Sequence, residues 1–210
     1  HVASVLKALP GKELKVGVLG GRLGRGIVVA ANERELRMEV KLTADPPAPS
    51  GVVLVAALPR PKSLRKLVHA AVSAGVKRVC LINSWRVEKS YWSSPVLEEL
   101  GEEAELALEQ SVDTVPPELT LHRLFKPFVE DELPGISEGA LKLVADPCAA
   151  GACPAGVSGR IVLAVGPEGG FTEYELGSLV AAGFEAVSLG RRVLRVEFAV
   201  AALLGRLSIS

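Results

Sequence analysis

From Gly51 onward, short wholly apolar runs alternate with longer stretches whose apolar positions recur every three or four residues. Val52–Leu58 is predicted to be a fully buried strand, Pro61–Ala74 a helix closed by Gly75, and Lys77–Ile82 a second buried strand. Parallel strands need crossover connections, and a sheet covered on both faces shows no polar alternation, so this βαβ rhythm predicts an α/β fold with a mostly parallel sheet. It continues with a predicted helix over Val96–Ser111, strands over Leu141–Ala145 and Ile161–Val165, a helix over Thr172–Ala182, a strand over Ala186–Leu189 and a closing helix over Arg195–Leu207. Residues 126–140 and 147–159 are rich in Pro, Gly and small side chains and are expected to be loops.

Before Asp45 the pattern differs. Lys15–Leu19, Ile27–Ala31 and Glu35–Leu42 are short β-prone runs separated by turn residues, as in a small antiparallel sheet or barrel. Asp45-Pro-Pro-Ala-Pro-Ser-Gly51 then removes backbone donors and helical options over several residues, which makes it the expected linker between a domain at 1–45 and one at 51–210. Gly20-Gly-Arg-Leu-Gly-Arg-Gly26 follows a predicted strand, but its glycine spacing is wrong for a dinucleotide fingerprint, and a strand follows it where a helix would be needed. A glycine-rich hairpin displaying Arg22 and Arg25, positioned to touch phosphates, is the expected structure.

Composition narrows the function classes. The chain has 210 residues, of which 49% are hydrophobic, enough for a sizeable core. No apolar run approaches the roughly 18 residues of a membrane-spanning helix. The first residue is His1, so a beginning upstream of it, and any targeting segment there, is expected to lie outside this sequence. Net charge is zero, which argues against nonspecific attraction to nucleic acid, although residues 1–45 carry eight Lys/Arg against five acids. Leu97–Gln110 is dominated by glutamates and is expected to present a solvated helix face. Three cysteines, Cys80, Cys148 and Cys153, are too few and wrongly spaced for a zinc site, and His69 and His122 lack partners at ligand spacing, so no metal is expected. Trp85, Tyr91 and Trp92 interleave with Arg86 and Lys89, a pattern that serves either an unpaired RNA strand or ordinary packing.

The sharpest local feature is Ala164-Val-Gly-Pro-Glu-Gly-Gly-Phe-Thr172. Pro167 restricts the chain at the exit from a strand, and Gly169 and Gly170 permit backbone angles and close approaches that a side chain would block. Thr172 and Glu175 have capping-box spacing, so the next helix is expected to start there. In parallel sheets, ligands collect at such strand ends. A plain tight turn explains the glycines equally well when they are taken alone.

A second motif lies downstream, Ser188-Leu-Gly-Arg-Arg-Val-Leu-Arg-Val-Glu-Phe-Ala199. Together the two stretches resemble the RsmE family of 16S ribosomal RNA uridine-N3 methyltransferases, within the SPOUT superfamily, which typically carry GPEGGF and, after a helix and a strand, LG.R(I/V)LR.ETA. Weaker similarity runs through His1-Val-Ala-Ser-Val-Leu6, Ala57-Leu-Pro-Arg60, Ala74-Gly-Val76 and Glu109-Gln-Ser111. The resemblance implies a SPOUT-type parallel sheet with a C-terminal trefoil knot, preceded by a small PUA-like β-barrel at 1–45 that binds RNA and is incomplete if residues precede His1. It implies S-adenosylmethionine as cofactor, ribosomal RNA of the small subunit as partner, a homodimer and a cytoplasmic setting, with an organelle left open.

The cofactor pocket implied by the resemblance has three walls: Ala145, Asp146 and Pro147; Gly166, Pro167, Glu168, Gly169 and Gly170; and Leu189, Gly190, Val193 and Leu194. Arg22, Arg25, Arg60 and Arg191 are the implied RNA contacts. Glu197 is the candidate to orient or deprotonate the uridine, and Arg195 to hold phosphate or a base carbonyl. An equally weighted alternative is that both side chains stabilise the fold.

Departures from the family pattern fall on polar positions. Val196 and Phe198 stand where threonines are usual, removing two hydroxyls and placing a ring expected to lie beside the pocket. Gln110-Ser-Val-Asp113 ends in an anion where a cation is usual, and Ala70 and Ser73 replace the familiar Lys and Glu. These changes leave two readings: a divergent methyltransferase, or a paralogue that binds RNA without transferring methyl.

Overall fold

The computed structural model describes residues 10–32 and 35–208. The motif His1–Leu6 and the charges Lys7, Glu33 and Arg34 lie outside the described residues. The described residues divide into two compact units, one formed by those up to Pro47 together with residues 108–116, the other by residues 48–107 and those from 117 onward.

The smaller unit is an antiparallel meander in the order β1-β2-β3, with β1 at Glu13–Gly17, β2 at Leu23–Ala31 and β3 at Leu36–Ala44. β2 begins earlier than the run Ile27–Ala31 predicts, because its glycines are accommodated within the strand. At Gly24 a Cβ would come within 2.0 Å of the Lys41 carbonyl oxygen, beside a register shift between Leu23 and Gly24, so close strand approach explains a residue that reads as a breaker. The β1–β2 turn is closed by Val18 N–H to Arg22 O at 3.1 Å and by Gly21 N–H to Val18 O at 2.7 Å. The loop at 108–116 joins this unit through Gly20 N–H to Thr114 O at 2.7 Å.

The larger unit holds a six-stranded sheet with every neighbouring pair parallel, in the order β6-β5-β4-β8-β7-β9. The strands are β4 (Val52–Ala57), β5 (Arg78–Ile82), β6 (Glu118–His122), β7 (Leu141–Ala145), β8 (Ile161–Val165) and β9 (Glu185–Val187). Among the described residues the four longer helices are α1 (Pro61–Ser73), α2 (Leu100–Ser111), α3 (Glu173–Ala181) and α4 (Val196–Ser208). β4 and β8 pair at the centre and are almost wholly buried, as their unbroken apolar sequences require. Leu64, Leu67, Val68, Ala71 and Val72 of α1 and Val200, Leu203, Leu204 and Leu207 of α4 are buried where these two helices pack.

Three expectations change. Glu118–His122, given no element in the sequence reading, is an edge strand; its side chains are exposed or half-buried and none is fully buried, unlike those of the central apolar runs. Residues 125–137, within an expected loop, form three short helical segments, Phe125–Pro127, Phe128–Glu132 and Leu133–Ser137, that bury Phe128, Val129, Leu133 and Ile136. Pro134 sits at the start of the last segment, where a missing N–H costs nothing. The helix predicted from Val96 begins at Leu100, preceded by a 3₁₀ turn at Pro95–Leu97.

Val112, just past α2, has φ of 58°, a left-handed conformation in a β-branched residue. The Asp113 carboxylate accepts the N–H groups of Thr114 at 2.6 Å and Val115 at 3.0 Å and so holds this turn. The anion that departs from the family pattern thus serves local backbone structure.

Candidate functional site

β8 delivers the chain into the turn Gly166–Gly170, closed by Gly170 N–H to Pro167 O at 2.8 Å. Gly166 is required by sterics: a Cβ there would lie 2.8 Å from Phe171 N and 3.0 Å from Gly170 Cα. Gly170 has φ of 71°. Thr172 caps α3, accepting the Glu175 N–H at 3.2 Å while Glu175 Oε2 accepts the Thr172 N–H at 2.8 Å. The same carboxylate, 3% exposed, also accepts the Thr172 hydroxyl at 2.9 Å, the Ser84 hydroxyl at 3.2 Å and the Trp85 N–H at 2.7 Å. Four polar hydrogens satisfied by one buried carboxylate fix the start of α3 to the loop after β5.

Two further loops meet this turn. Residues 145–147 follow β7, and residues 188–194 follow β9; Asp146 N–H donates to Val187 O at 3.0 Å, and Cys153 N–H to Ser188 O at 2.8 Å. Between these loops and the Gly166 turn lies an open pocket within the larger unit. Its wall includes Ala145, Asp146, Pro147, Gly166, Pro167, Glu168, Gly170, Leu189, Gly190, Val193 and Leu194, so eleven of the twelve positions assigned to a cofactor pocket converge.

Gly169 is the exception. It is not on the lining, and a Cβ there would meet Arg86 Cδ at 2.9 Å. Arg86 Nη1 donates to the Gly169 carbonyl and stands 3.5 Å from the Phe171 carbonyl oxygen, so this glycine serves the outer side of the turn. The lining also contains residues the sequence reading missed. Val165 and Val187 end their strands, Ser188 and Arg192 lie in the second motif, and Val196, Ala199 and Leu203 belong to α4. The strand-end positions were findable from the rule that ligands collect there; the α4 residues depend on helix orientation, which local sequence does not give.

Arg195 and Glu197 part company. Arg195 is exposed, and Glu197 is 4% exposed with Oε2 buried and without a hydrogen-bond partner. Neither lines the pocket, although their neighbours Val196 and Ala199 do. Phe198 is 55% exposed and off the lining, so the ring expected beside the pocket turns toward solvent.

The arginines assigned to RNA differ in availability. Arg22 pairs with Asp45 at 3.0 Å and Arg25 pairs with Glu13, all exposed. Arg191 is exposed, and Arg60 donates its N–H to Glu168 Oε1 at 2.9 Å. Slight desolvation, then the neighbouring Glu88, push the Tyr91 pKa above the usual tyrosine value, and Arg60 opposes them.

His69 and His122 have carboxylate partners supplied by tertiary structure: His69 Nδ1 is 3.0 Å from Glu103 Oε1, and His122 Nδ1 is 3.0 Å from Glu132 Oε1. Among the described residues no three potential ligands cluster as a metal site would need. No described helix is long and apolar enough to cross a membrane.

The family model for an RNA methyltransferase domain matches residues 46–208. Ribosomal RNA small subunit methyltransferase E of Mycobacterium tuberculosis is 32% identical over an alignment covering 100% of this chain and 82% of that protein. This chain belongs to the RsmE family of RNA methyltransferases. Another RsmE, from Treponema pallidum, is 30% identical across 96% of this chain and 79% of its own length. The fold agrees: the crystal structure of the Neisseria gonorrhoeae RsmE, bound to S-adenosyl methionine, superposes with a TM-score of 0.78 at 23% identity, covering 96% of this chain and 84% of that one. In this RsmE-family chain, the pocket at the ends of β7, β8 and β9 lies wholly inside the span matched by the family model.

Proposed function

We propose that this chain transfers a methyl group from S-adenosylmethionine to N3 of a uridine in small-subunit ribosomal RNA, acting as a cytoplasmic homodimer. The observation that carries the reading is the convergence of three separate loops on one pocket at the carboxyl ends of parallel strands. Its chemistry fits an adenosine-bearing cofactor. Apolar residues and glycines dominate the wall, Gly166 lets the turn close tightly on itself beside the pocket, and Asp146, Glu168, Ser188 and Arg192 add a few polar groups. The segments 145–147, 166–170 and 188–194 would hold the cofactor, which when bound supplies an electrophilic methyl on a sulfonium.

The chain's part is to position the uridine and assist loss of its N3 proton. Glu197 is our candidate to orient or deprotonate. An unpartnered buried carboxylate oxygen costs about 1–3 kcal/mol, a penalty that a catalytic role explains. Arg195, exposed two residues earlier, is our candidate to hold phosphate or a base carbonyl. We assign RNA binding to the smaller unit, read as PUA-like, and to Arg22, Arg25, Arg60 and Arg191.

A trefoil knot at the C-terminal crossing is supported by the hydrogen bonds that tie Ser188 to Gly151 and Cys153, both at 2.8 Å. A partner copy is supported by the apolar rim of the pocket, where Val193 is 77% exposed and Leu189 and Leu194 are also exposed. Two measurements test the proposal: calorimetric titration with S-adenosylmethionine, and mass spectrometry of ribosomal RNA from cells lacking the gene. Absence of cofactor binding would remove the pocket assignment, and unchanged uridine methylation in the deletion would remove the substrate.

A further inference from the structure

An aromatic side chain stands in solvent beside the pocket wall. Trp85, in the loop after β5, is 85% exposed. Its backbone is nevertheless fixed: its N–H donates to the buried Glu175 at 2.7 Å, and Val87 N–H closes the turn on Ser84 O at 3.0 Å. The next residue, Arg86, grips the outside of the Gly166–Gly170 turn at the Gly169 carbonyl. A single turn thus connects an exposed indole to the strand-end loop that lines the pocket.

Trp92, the other tryptophan, shows the contrast. It is 8% exposed, its Nε1–H donates to Asn83 Oδ1 at 2.9 Å, and the Arg123 guanidinium lies 5.3 Å from its ring centroid. Trp85 has no such packing, although a large aromatic ordinarily gains by burial. An exposed ring on an immobilised turn suits a flat ligand that arrives from solution.

We propose that Trp85 is a stacking platform for an unpaired base of the substrate RNA next to the reacting nucleotide; this rests on the methyltransferase reading above. The indole offers its face to any base, and the cations around it suit a phosphate backbone: Arg86 in the same turn, the exposed Lys89, and Arg60 beside Tyr91. Trp85 acts as a positioning residue. It holds the strand so that the target base reaches the pocket mouth, and it takes no part in methyl transfer.

The test uses the full chain and a single-stranded oligouridylate of about ten nucleotides, within the range of known single-strand sites. Addition of the oligonucleotide is expected to quench the emission of the exposed Trp85, while the buried Trp92 contributes a constant background. Trp85→Phe is expected to keep RNA affinity within about threefold and lose the quench, whereas Trp85→Ala weakens RNA binding by roughly fivefold or more. Calorimetry with S-adenosylmethionine alone is expected to give the native affinity for both variants, and methyl-transfer kinetics for Trp85→Ala are expected to show a raised KM with little change in kcat. Native RNA affinity in Trp85→Ala, or no quench in the native chain, overturns the platform and leaves the methyltransferase reading standing. Loss of S-adenosylmethionine binding in the native chain overturns the methyltransferase reading and the platform with it.

Discussion

Oε1 of Glu168 accepts the backbone N–H of Arg60 at 2.9 Å, across 108 residues of sequence. This bond ties the turn after β8 to the residue that begins α1, and so sets the height of one pocket wall. Glu168→Ala is expected to weaken S-adenosylmethionine binding about tenfold, the effect of one lost charge-assisted bond. Glu168→Gln keeps an acceptor and is expected to stay within about threefold. Calorimetric titration of both variants measures the difference.

Gly166→Ala places a methyl group 2.8 Å from Phe171 N, so the turn must deform. We expect S-adenosylmethionine affinity to fall by at least about tenfold with the fold retained. The control is Gly177→Ala in α3, where a Cβ meets nothing within 4 Å. That change is expected to raise stability by about 0.5–1 kcal/mol and leave cofactor binding unchanged.

Glu175 is buried, and its removal strands the Ser84 hydroxyl, the Trp85 N–H and the Thr172 donors together. Glu175→Ala is expected to cost about 3 kcal/mol, read as a fall in Tm of about 6–12 °C by circular dichroism. Glu175→Gln is expected to destabilise as well, because its amide nitrogen donates where donors already converge.

Val112→Gly is expected to stabilise the protein by about 1 kcal/mol, or about 2–4 °C in Tm. Glycine adopts φ of 58° without the strain of a β-branched side chain, which exceeds the extra chain entropy glycine gives the unfolded state.

Cys148 is exposed while Cys80 and Cys153 are buried, so a thiol reagent is expected to modify one cysteine in the native protein and three after denaturation. Burial raises the Cys80 pKa above its ordinary 9.0. Above about pH 9 the unfolded chain releases this proton while the folded chain retains it, so stability is expected to decline as pH rises beyond that value. Urea denaturation between pH 8 and pH 10 measures the slope, and Cys80→Ala is expected to flatten it.

The alternation after Gly51, the Thr172–Glu175 cap and the turn at Gly166 are legible because each is a local rule, set by residues within about one turn of one another. What stays illegible is long-range. Nothing near Gly169 announces that Arg86 will occupy its outer side, and nothing near Trp85 announces Glu175, because the partners are separated by 83 and 90 residues. Glu118–His122 was missed because an edge strand is paired on one side and has no unbroken apolar run. Arg192 was missed because its place on the wall depends on the path of the whole 188–194 segment.

Because three separate connecting segments close the cleft at the ends of β7, β8 and β9, its contour follows their paths as much as the side chains they carry. Anyone wishing to re-engineer it for a different nucleoside would have to move backbone as well as exchange residues along its rim. The profitable lever is the length and routing of the connecting segments themselves.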